Sequence, residues 1–92
     1  MKITVIHYNS RFEKQFLALS KIVQKKACKC EVLFRNNPFH KSLRLHKLKE
    51  KLVGLWSISI DKKNRIIFKC MDDGVIIFAS IGAHAIYEET GC

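Results

Sequence analysis

Apolar residues recur every three or four positions between residues 12 and 34, and this spacing constrains the fold more than any other feature. They are Phe12, Phe16, Leu19, Val23, Ala27, Cys30 and Phe34. Such a stripe is typical of helices that bury one face against a core. It predicts either two helices with a turn near Ser20 or one long helix. The helical region must end by Asn36-Asn37-Pro38, because the residue before a proline avoids helical angles.

Short apolar runs on both sides of this stripe have the length and alternation of β-strands. They span residues 2–7, 55–61, 64–71 and 75–81. The last three are separated by short polar turns, which favour an antiparallel meander. Asn9 or Ser10 is expected to cap the first helix, with Ser10 and Glu13 in a capping box. The predicted fold is α+β in the order β-α-(α)-β-β-β, a helical hairpin packed on a small, mostly antiparallel sheet.

The charge of the chain is strongly positive. Its 92 residues suit one domain spanning residues 1–92, and it carries 17 Lys and Arg against 8 Asp and Glu, a net charge of +9. Many of these cations lie between residues 21 and 51, which predicts a polyanionic partner: RNA, DNA or an acidic protein. The alternative is that these cations only form a well-solvated surface and bind no polyanion. The absence of a membrane-length apolar run and of a signal-peptide pattern indicates the cytoplasm.

The cysteine pattern does not predict a metal site. The four are Cys28, Cys30, Cys70 and Cys92, and no second pair follows Cys28 and Cys30 at zinc-finger spacing. In a cytoplasmic protein we expect reduced thiols, with Cys30 and Cys70 packed as small apolar groups.

Strand alternation divides the polar and apolar side chains of the meander between two faces. One face carries Trp56, Ile58, Ile60, Ile66, Phe68 and Cys70, and the other carries Ser57, Ser59, Asp61, Arg65, Ile67 and Lys69. We expect the helices to cover the first face. The second, with Arg65, Lys69 and the two serines, is expected to be partly open, and such a basic face could hold a strand of RNA.

Four side chains bracket this sheet and suit phosphodiester chemistry: His46, Arg65, His84 and Tyr87. Arginine binds phosphate through two parallel hydrogen bonds, and histidine or tyrosine can transfer protons. The cations Arg44, Lys47, Lys49 and Lys69 are candidates for binding the RNA phosphates. A core position is the alternative for the Tyr87 ring. His7 and His40 are expected to be structural or exposed.

Five motifs between residues 37 and 87 resemble the RelE/ParE superfamily of bacterial toxins, and within it the YafQ-like branch that cleaves messenger RNA; with length, element order and basic charge, the resemblance covers nearly the whole chain. They are Asn37-Pro38-Phe39, His46-Lys47-Leu48, Gly54-x-Trp56, Arg65-Ile66-Ile67-Phe68 and Ile81-Gly82-x-His84-x-x-Tyr87. The resemblance implies a ribosome-dependent endoribonuclease, the toxin of a type II toxin–antitoxin pair. Such enzymes cut messenger RNA in the ribosomal A site by attack of a 2′-hydroxyl on the adjacent phosphorus, with no metal or other cofactor. The implied partners are an acidic antitoxin, the ribosome and messenger RNA.

The resemblance also assigns roles to single residues. His46 and His84 match the histidines of the branch. Arg65 matches a phosphate-binding arginine, and Tyr87 lies near an aromatic that orients the substrate.

Two positions depart from the branch and leave the general base unassigned. Ser59 stands where some members carry a further histidine, and Asn64 stands at a nearby acidic position. Two other functions are consistent with the sequence. ParE-type relatives bind DNA gyrase and lack the ribonuclease residues, so His46 and His84 argue against that class. The other is a basic RNA-binding module without catalysis.

Overall fold

The structure, a computed structural model, describes residues 2–83 and Ile86. Its elements are β1 (Val5–Tyr8), α1 (Ser10–Ala18), α2 (Lys21–Asn36), β2 (His46–Lys47), β3 (Leu55–Ser59), β4 (Arg65–Cys70) and β5 (Val75–Gly82). Both helices pack against a five-stranded sheet of order β1-β5-β4-β3-β2. β1 is parallel to β5, and the other neighbouring strands are antiparallel. The predicted α+β class and mostly antiparallel sheet are confirmed.

Ser20 divides the predicted helical stripe into two helices. Its hydroxyl accepts a hydrogen bond from the Val23 amide at 3.3 Å and caps the start of α2. The Gln24 side chain donates to the carbonyls of Phe16 and Leu19 at 2.9 and 3.3 Å, where α1 ends. These bonds satisfy backbone groups that a helix end leaves without partners. The first of the two predicted arrangements is therefore correct.

The cap of α1 differs from the predicted capping box. Asn9 is the cap, because its backbone is extended and its Oδ1 accepts the Phe12 amide at 2.8 Å. Ser10 is already the first helical residue, so the predicted box between Ser10 and Glu13 is wrong. α2 ends at Asn36, as predicted. Within the described residues, neither helix is long and apolar enough to cross a membrane.

Phenylalanine rings fill the space between the helices and the sheet. The Phe34 centroid on α2 lies 4.9 Å from that of Phe68 and 5.9 Å from that of Phe78. Phe12 on α1 packs 5.4 Å from Phe78. The first three rings are fully buried. This cluster joins both helices to β4 and β5.

A β-bulge interrupts the pairing of β4 with β5. Ile67 pairs with Ser80 and Phe68 with Phe78, so Ala79 lies between the two pairs without a partner of its own. The extra residue shifts the alternation of β5 by one position. As a result, Phe78 and Ile81 both belong to the core below the helices.

The turn between β4 and β5 fixes the start of β1. Thr4 donates its amide to the Gly74 carbonyl at 2.9 Å and its hydroxyl to the Asp73 carbonyl at 2.8 Å. Gly74 has φ +76, and a Cβ there would lie 2.2 Å from the Lys2 carbonyl oxygen, so the close approach requires glycine. Because Thr4 bonds to this turn, β1 begins at Val5 and not at residue 2 as predicted.

Residues 38–54, between the predicted helices and the predicted meander, contain a strand as well as helical turns. β2 pairs with β3 through His46 with Ser57 and Lys47 with Trp56. Short 3-10 turns span Lys41–Leu43 and Glu50–Leu52. A two-residue strand has no apolar alternation to detect, and its pairing with β3 creates it.

Candidate functional site

The sheet face turned away from the helices, called the outer face below, carries two rows of paired side chains. The first row is His46, Ser57, Ile67 and Ser80, and the second is Ser59, Arg65 and Gly82. Directly paired residues share a face of a sheet. From strand spacings of about 4.8 Å and rises of about 3.4 Å, the α-carbons of His46 and Arg65 are about 12 Å apart. His46 therefore lies on the edge strand β2, which β3 separates from the strand that carries Arg65.

The centre of the outer face is buried. The exposed fractions are 2% for Ser57, 0% for Ile67 and Ser80, and 9% for Ser59. The expectation that the two serines lie on a partly open surface is therefore wrong. Alternation assigns a side chain to a face but does not reveal what packs on that face. At the end of the second row, a Cβ on Gly82 would lie 2.9 Å from Ile86, which is itself buried.

The Arg65 guanidinium is attached to the turn between β3 and β4. Its Nη1 donates to the carbonyl oxygens of Asp61 and Asn64, the latter at 3.0 Å. Among the residues described, Nε and Nη2 donate no hydrogen bond. One edge of the guanidinium is thus held by the protein, while the Nε–Nη2 edge, which can pair with an anion in bidentate geometry, has no partner among the described residues.

Asp61 organises that turn. Its Oδ1 accepts the amides of Asn64 at 2.7 Å and Lys63 at 2.9 Å, and its Oδ2 lies 3.4 Å from the Lys26 ammonium on α2. Partial burial raises the pKa of Asp61, but the hydrogen bonds from Asn64, Lys63 and Lys26 outweigh it and hold the pKa below its ordinary value. Asp61 was not predicted as a site residue. Its spacing to Asn64 in a polar turn is a sequence signal that could have found it.

Lys47, one of the predicted phosphate-binding lysines, lies on the sheet face opposite to that of His46. It pairs with Trp56, and its Nζ lies 5.3 Å from the Trp56 ring centroid on the helix side of the sheet. Neighbouring residues of a strand point to opposite faces, so His46 and Lys47 are separated by alternation. Lys69 is exposed on the outer face, four residues along β4 from Arg65.

The two remaining cations lie in the connections around β2. Arg44 is exposed directly after the Lys41–Leu43 turn, with φ +48, and Lys49 is exposed before the Glu50–Leu52 turn. Both are near the edge of the sheet that carries His46.

The other histidines have the structural or exposed positions predicted for them. His40 accepts the Ser42 amide on Nδ1 at 3.2 Å and caps the Lys41–Leu43 turn, while His7 is exposed on β1. His84, Tyr87 and Cys92 lie outside the described residues.

The described cysteines are free thiols. Cys30 is buried against the Ser59 carbonyl at 3.5 Å, and burial raises the pKa of Cys30 to about 11. Cys70 is half-buried beside the core, so the predicted apolar packing of both is confirmed. Cys28 is exposed. In the part of the chain that the structure describes, no three His, Cys, Asp or Glu side chains are grouped to hold a metal ion.

The architecture matches solved structures of toxins. YafQ from E. coli strain BL21(DE3) superposes with a TM-score of 0.70 at 23% identity, covering 90% of this chain and 96% of that chain. The YoeB/ParE toxin from Agrobacterium tumefaciens gives a TM-score of 0.72 at 16% identity, covering 91% and 99%. The chain has the RelE/ParE toxin fold. The archaeal RelE-RelB complex from Pyrococcus horikoshii OT3 gives a TM-score of 0.69 at 16% identity, covering 90% and 96%.

These similarities confirm the recognition from sequence motifs at the level of the fold. No protein-family model and no curated protein matches the sequence. In this RelE/ParE fold, a potential proton donor or acceptor, His46, and an anion-binding group, Arg65, share one face.

Proposed function

We propose that this chain is the toxin of a type II toxin–antitoxin pair and that it cleaves messenger RNA on the ribosome. The observation that supports this is the placement of His46 and Arg65 on the outer face, about 12 Å apart between α-carbons by strand spacing. A phosphate can bind the available edge of Arg65, and an imidazole can transfer protons near neutral pH.

In the proposed reaction, a 2′-hydroxyl of the RNA attacks the adjacent phosphorus and the 5′-oxygen of the next nucleotide leaves. A base takes the proton of the hydroxyl, an acid protonates the departing oxygen, and Arg65 stabilises charge on the phosphate oxygens. His46 supplies one proton transfer. By resemblance, His84 supplies the other, Tyr87 orients the substrate, and no metal or other cofactor takes part.

Ser59, which replaces a histidine found in some relatives, lies directly across from Arg65 and is buried. A serine hydroxyl does not titrate near neutral pH, so Ser59 cannot replace an imidazole as base. The proton transfers are therefore assigned to His46 and His84.

Exposed cations around the outer face are proposed to bind the RNA backbone. Arg44 and Lys49 flank β2, and Lys69 lies farther along β4. Their contacts would position the strand without reading its sequence. Lys47 is proposed to contact RNA only outside the cleavage site, because its ammonium lies over Trp56 on the helix side.

An acidic antitoxin in the bacterial cytoplasm is the proposed regulatory partner. Solved structures with this fold include an E. coli DinJ-YafQ complex and a Staphylococcus aureus YoeB-YefM complex, at TM-scores of 0.69. The net charge of +9 favours a partner rich in carboxylates. Stopped-flow association with the product of the neighbouring gene should slow as salt rises, because exposed charges are screened beyond about 10 Å at about 0.1 M salt. A rate that does not change with salt would contradict an electrostatic encounter.

The test of the enzymatic proposal compares two targets in one preparation. In a translating extract, the wild type should create new messenger-RNA ends and Arg65→Ala should not, while plasmid supercoiling by gyrase stays unchanged. Inhibited gyrase with intact messenger RNA would identify a ParE-type inhibitor instead. RNA binding without new ends would identify a silent RNA-binding module.

A further inference from the structure

Phe39 is an exposed aromatic residue between the cations Arg35 and Lys41. Its exposed fraction is 64%, and its ring contacts no other described aromatic ring. Tyr8 is the other exposed aromatic of the described chain, but its ring and its hydroxyl both have partners. The Tyr8 ring stacks on Phe12 at 5.4 Å, and its hydroxyl bonds to Glu31. Neither face of the Phe39 ring therefore packs against the aromatic core.

The backbone that presents Phe39 is held on both sides. The Phe39 amide donates to Oδ1 of Asn37 at 3.2 Å, and the His40 amide donates to the Asn37 carbonyl at 3.0 Å. Pro38 between them is buried. An asparagine side chain that bonds two residues onward forms a defined turn. The ring is thus displayed by an ordered turn.

Cations follow Phe39 on an equally ordered segment. Lys41 and Arg44 are exposed, and the Lys41–Leu43 turn is closed by the bond from the Leu43 amide to the His40 carbonyl at 3.0 Å. Leu43, only 1% exposed, anchors the segment in the core. An exposed aromatic beside fixed cations is the pattern with which proteins hold single-stranded nucleic acid, stacking a base and pairing the phosphates.

This segment leads directly into the candidate site. A 3-10 rise of about 2 Å per residue through the turn, and extended backbone after it, place the α-carbons of Phe39 and His46 within about 20 Å. One RNA strand can therefore contact both residues.

We propose that Phe39 stacks on an unpaired base of the RNA, while Lys41 and Arg44 contact the neighbouring phosphates. The proposal rests on the RNA-cleaving function proposed above and adds a base-binding position outside the reacting phosphodiester.

The test uses ribosomes programmed with a short messenger that carries 2-aminopurine at single positions in or beside the A site. A 2′-deoxy substitution at the cleaved position prevents attack. Stacking quenches the fluorescence of 2-aminopurine. Binding of the wild type or of Phe39→Tyr should therefore lower the fluorescence at one labelled position, and binding of Phe39→Leu should not. Leu17→Ala is the matched control, because Leu17 is an apolar residue on α1 with 76% exposure. It should quench like the wild type.

Salt dependence separates stacking from charge. Phe39→Ala should weaken binding by between about fivefold and about a hundredfold, and the slope of log affinity against log salt should not change. Arg44→Gln should reduce that slope by about one, as expected for loss of one phosphate contact. Thermal unfolding of each variant shows whether the fold is retained.

Unchanged quenching and affinity in Phe39→Leu, with cleavage by the wild type intact, would overturn stacking and leave the proposed function standing. Absence of RNA binding by the wild type would overturn both. If Phe39→Leu binds RNA normally but loses the antitoxin, Phe39 is a protein contact and the proposal is wrong.

Discussion

The two faces of the sheet differ in what they bury and in what they expose. On the helix side, the Phe34, Phe68 and Phe78 rings are fully buried in one cluster. On the outer face, polar side chains surround a buried centre, with Arg65 half-buried and His46 exposed. Because β4 alternates between the two faces along its own length, one strand supplies Phe68 to the buried ring cluster and Arg65 to the outer face.

The largest effect should follow from damage to the helix side. We expect Phe34→Ala to lower the free energy of unfolding by about 3–5 kcal/mol, because it leaves a cavity between α2 and the sheet. Urea denaturation measures this. The matched variant Phe39→Ala, at an exposed phenylalanine, should change it by less than about 0.5 kcal/mol. Equal losses would show that the ring cluster is not the main source of stability.

On the outer face, the largest effect should be on cleavage and not on folding. We expect Arg65→Ala to reduce single-turnover cleavage on programmed ribosomes by about 10²–10³-fold, since it removes a preorganised donor to the developing charge. Arg65→Lys should recover little, because an ammonium cannot make two parallel hydrogen bonds. Arg11→Ala, at an exposed arginine of α1, is the control. If the lysine variant is fully active, only charge matters at this position.

His46→Ala should lower cleavage by about a hundredfold, the usual contribution of one general acid or base. The unfolding free energy should stay almost constant, since the side chain is exposed on an edge strand. His7→Ala removes an exposed histidine from β1 and serves as control. Similar cleavage by both variants would remove His46 from the reaction.

Substitution of Asp61 should have the smallest effect on cleavage, and the size of that effect should depend on the residue introduced. Asp61→Ala should reduce cleavage about fivefold, corresponding to about 1 kcal/mol of lost hydrogen bonding in the turn that holds Arg65. Asp61→Asn keeps an acceptor oxygen and should retain most activity. Identical losses in both variants would contradict the role of the turn in positioning Arg65.

The same residue gives a pH dependence of stability. The pKa of Asp61 is depressed in the folded chain. Its contribution is therefore complete above its unfolded pKa of about 3.9 and is lost as pH falls through the lower folded value. The unfolding free energies of the wild type and Asp61→Asn should converge in strongly acidic solution, and the wild type should be the more stable above about pH 5.

Much of the fold could be predicted because apolar residues recur along the helices and strands at the period of the secondary structure they form. The stripe from Phe12 to Phe34 marked the helices, and the three meander strands lie close to their predicted bounds. β2 was missed because tertiary pairing, and not local pattern, makes it a strand. The bulge at Ala79 was missed for the same reason, since only the partner strand defines an unpaired residue.

The candidate site was predictable in its residue types and less so in its arrangement. Arg65 lies on the predicted face of the sheet. His46 lies on the same face only because β2, which was not predicted, pairs with β3. The burial of Ser57 could not be predicted from alternation, because alternation indicates which face a side chain lies on and not whether other residues cover that face. The hydrogen bonds from the Asp61 turn to Arg65 depend on backbone carbonyls, and no residue pattern specifies where a carbonyl points.

The parallel pairing of β1 with β5 has a consequence for how the protein is made. Val5 pairs with Val75, so β1 remains without its partner until the chain beyond residue 75 has left the ribosome. The α1–α2 pair and the β3–β4 hairpin close over short loops and can form earlier, whereas a contact of such high sequence separation costs loop entropy and forms late. Arg65 and β5 likewise meet only at that stage. The outer face should therefore be completed only after β5 has emerged from the ribosome.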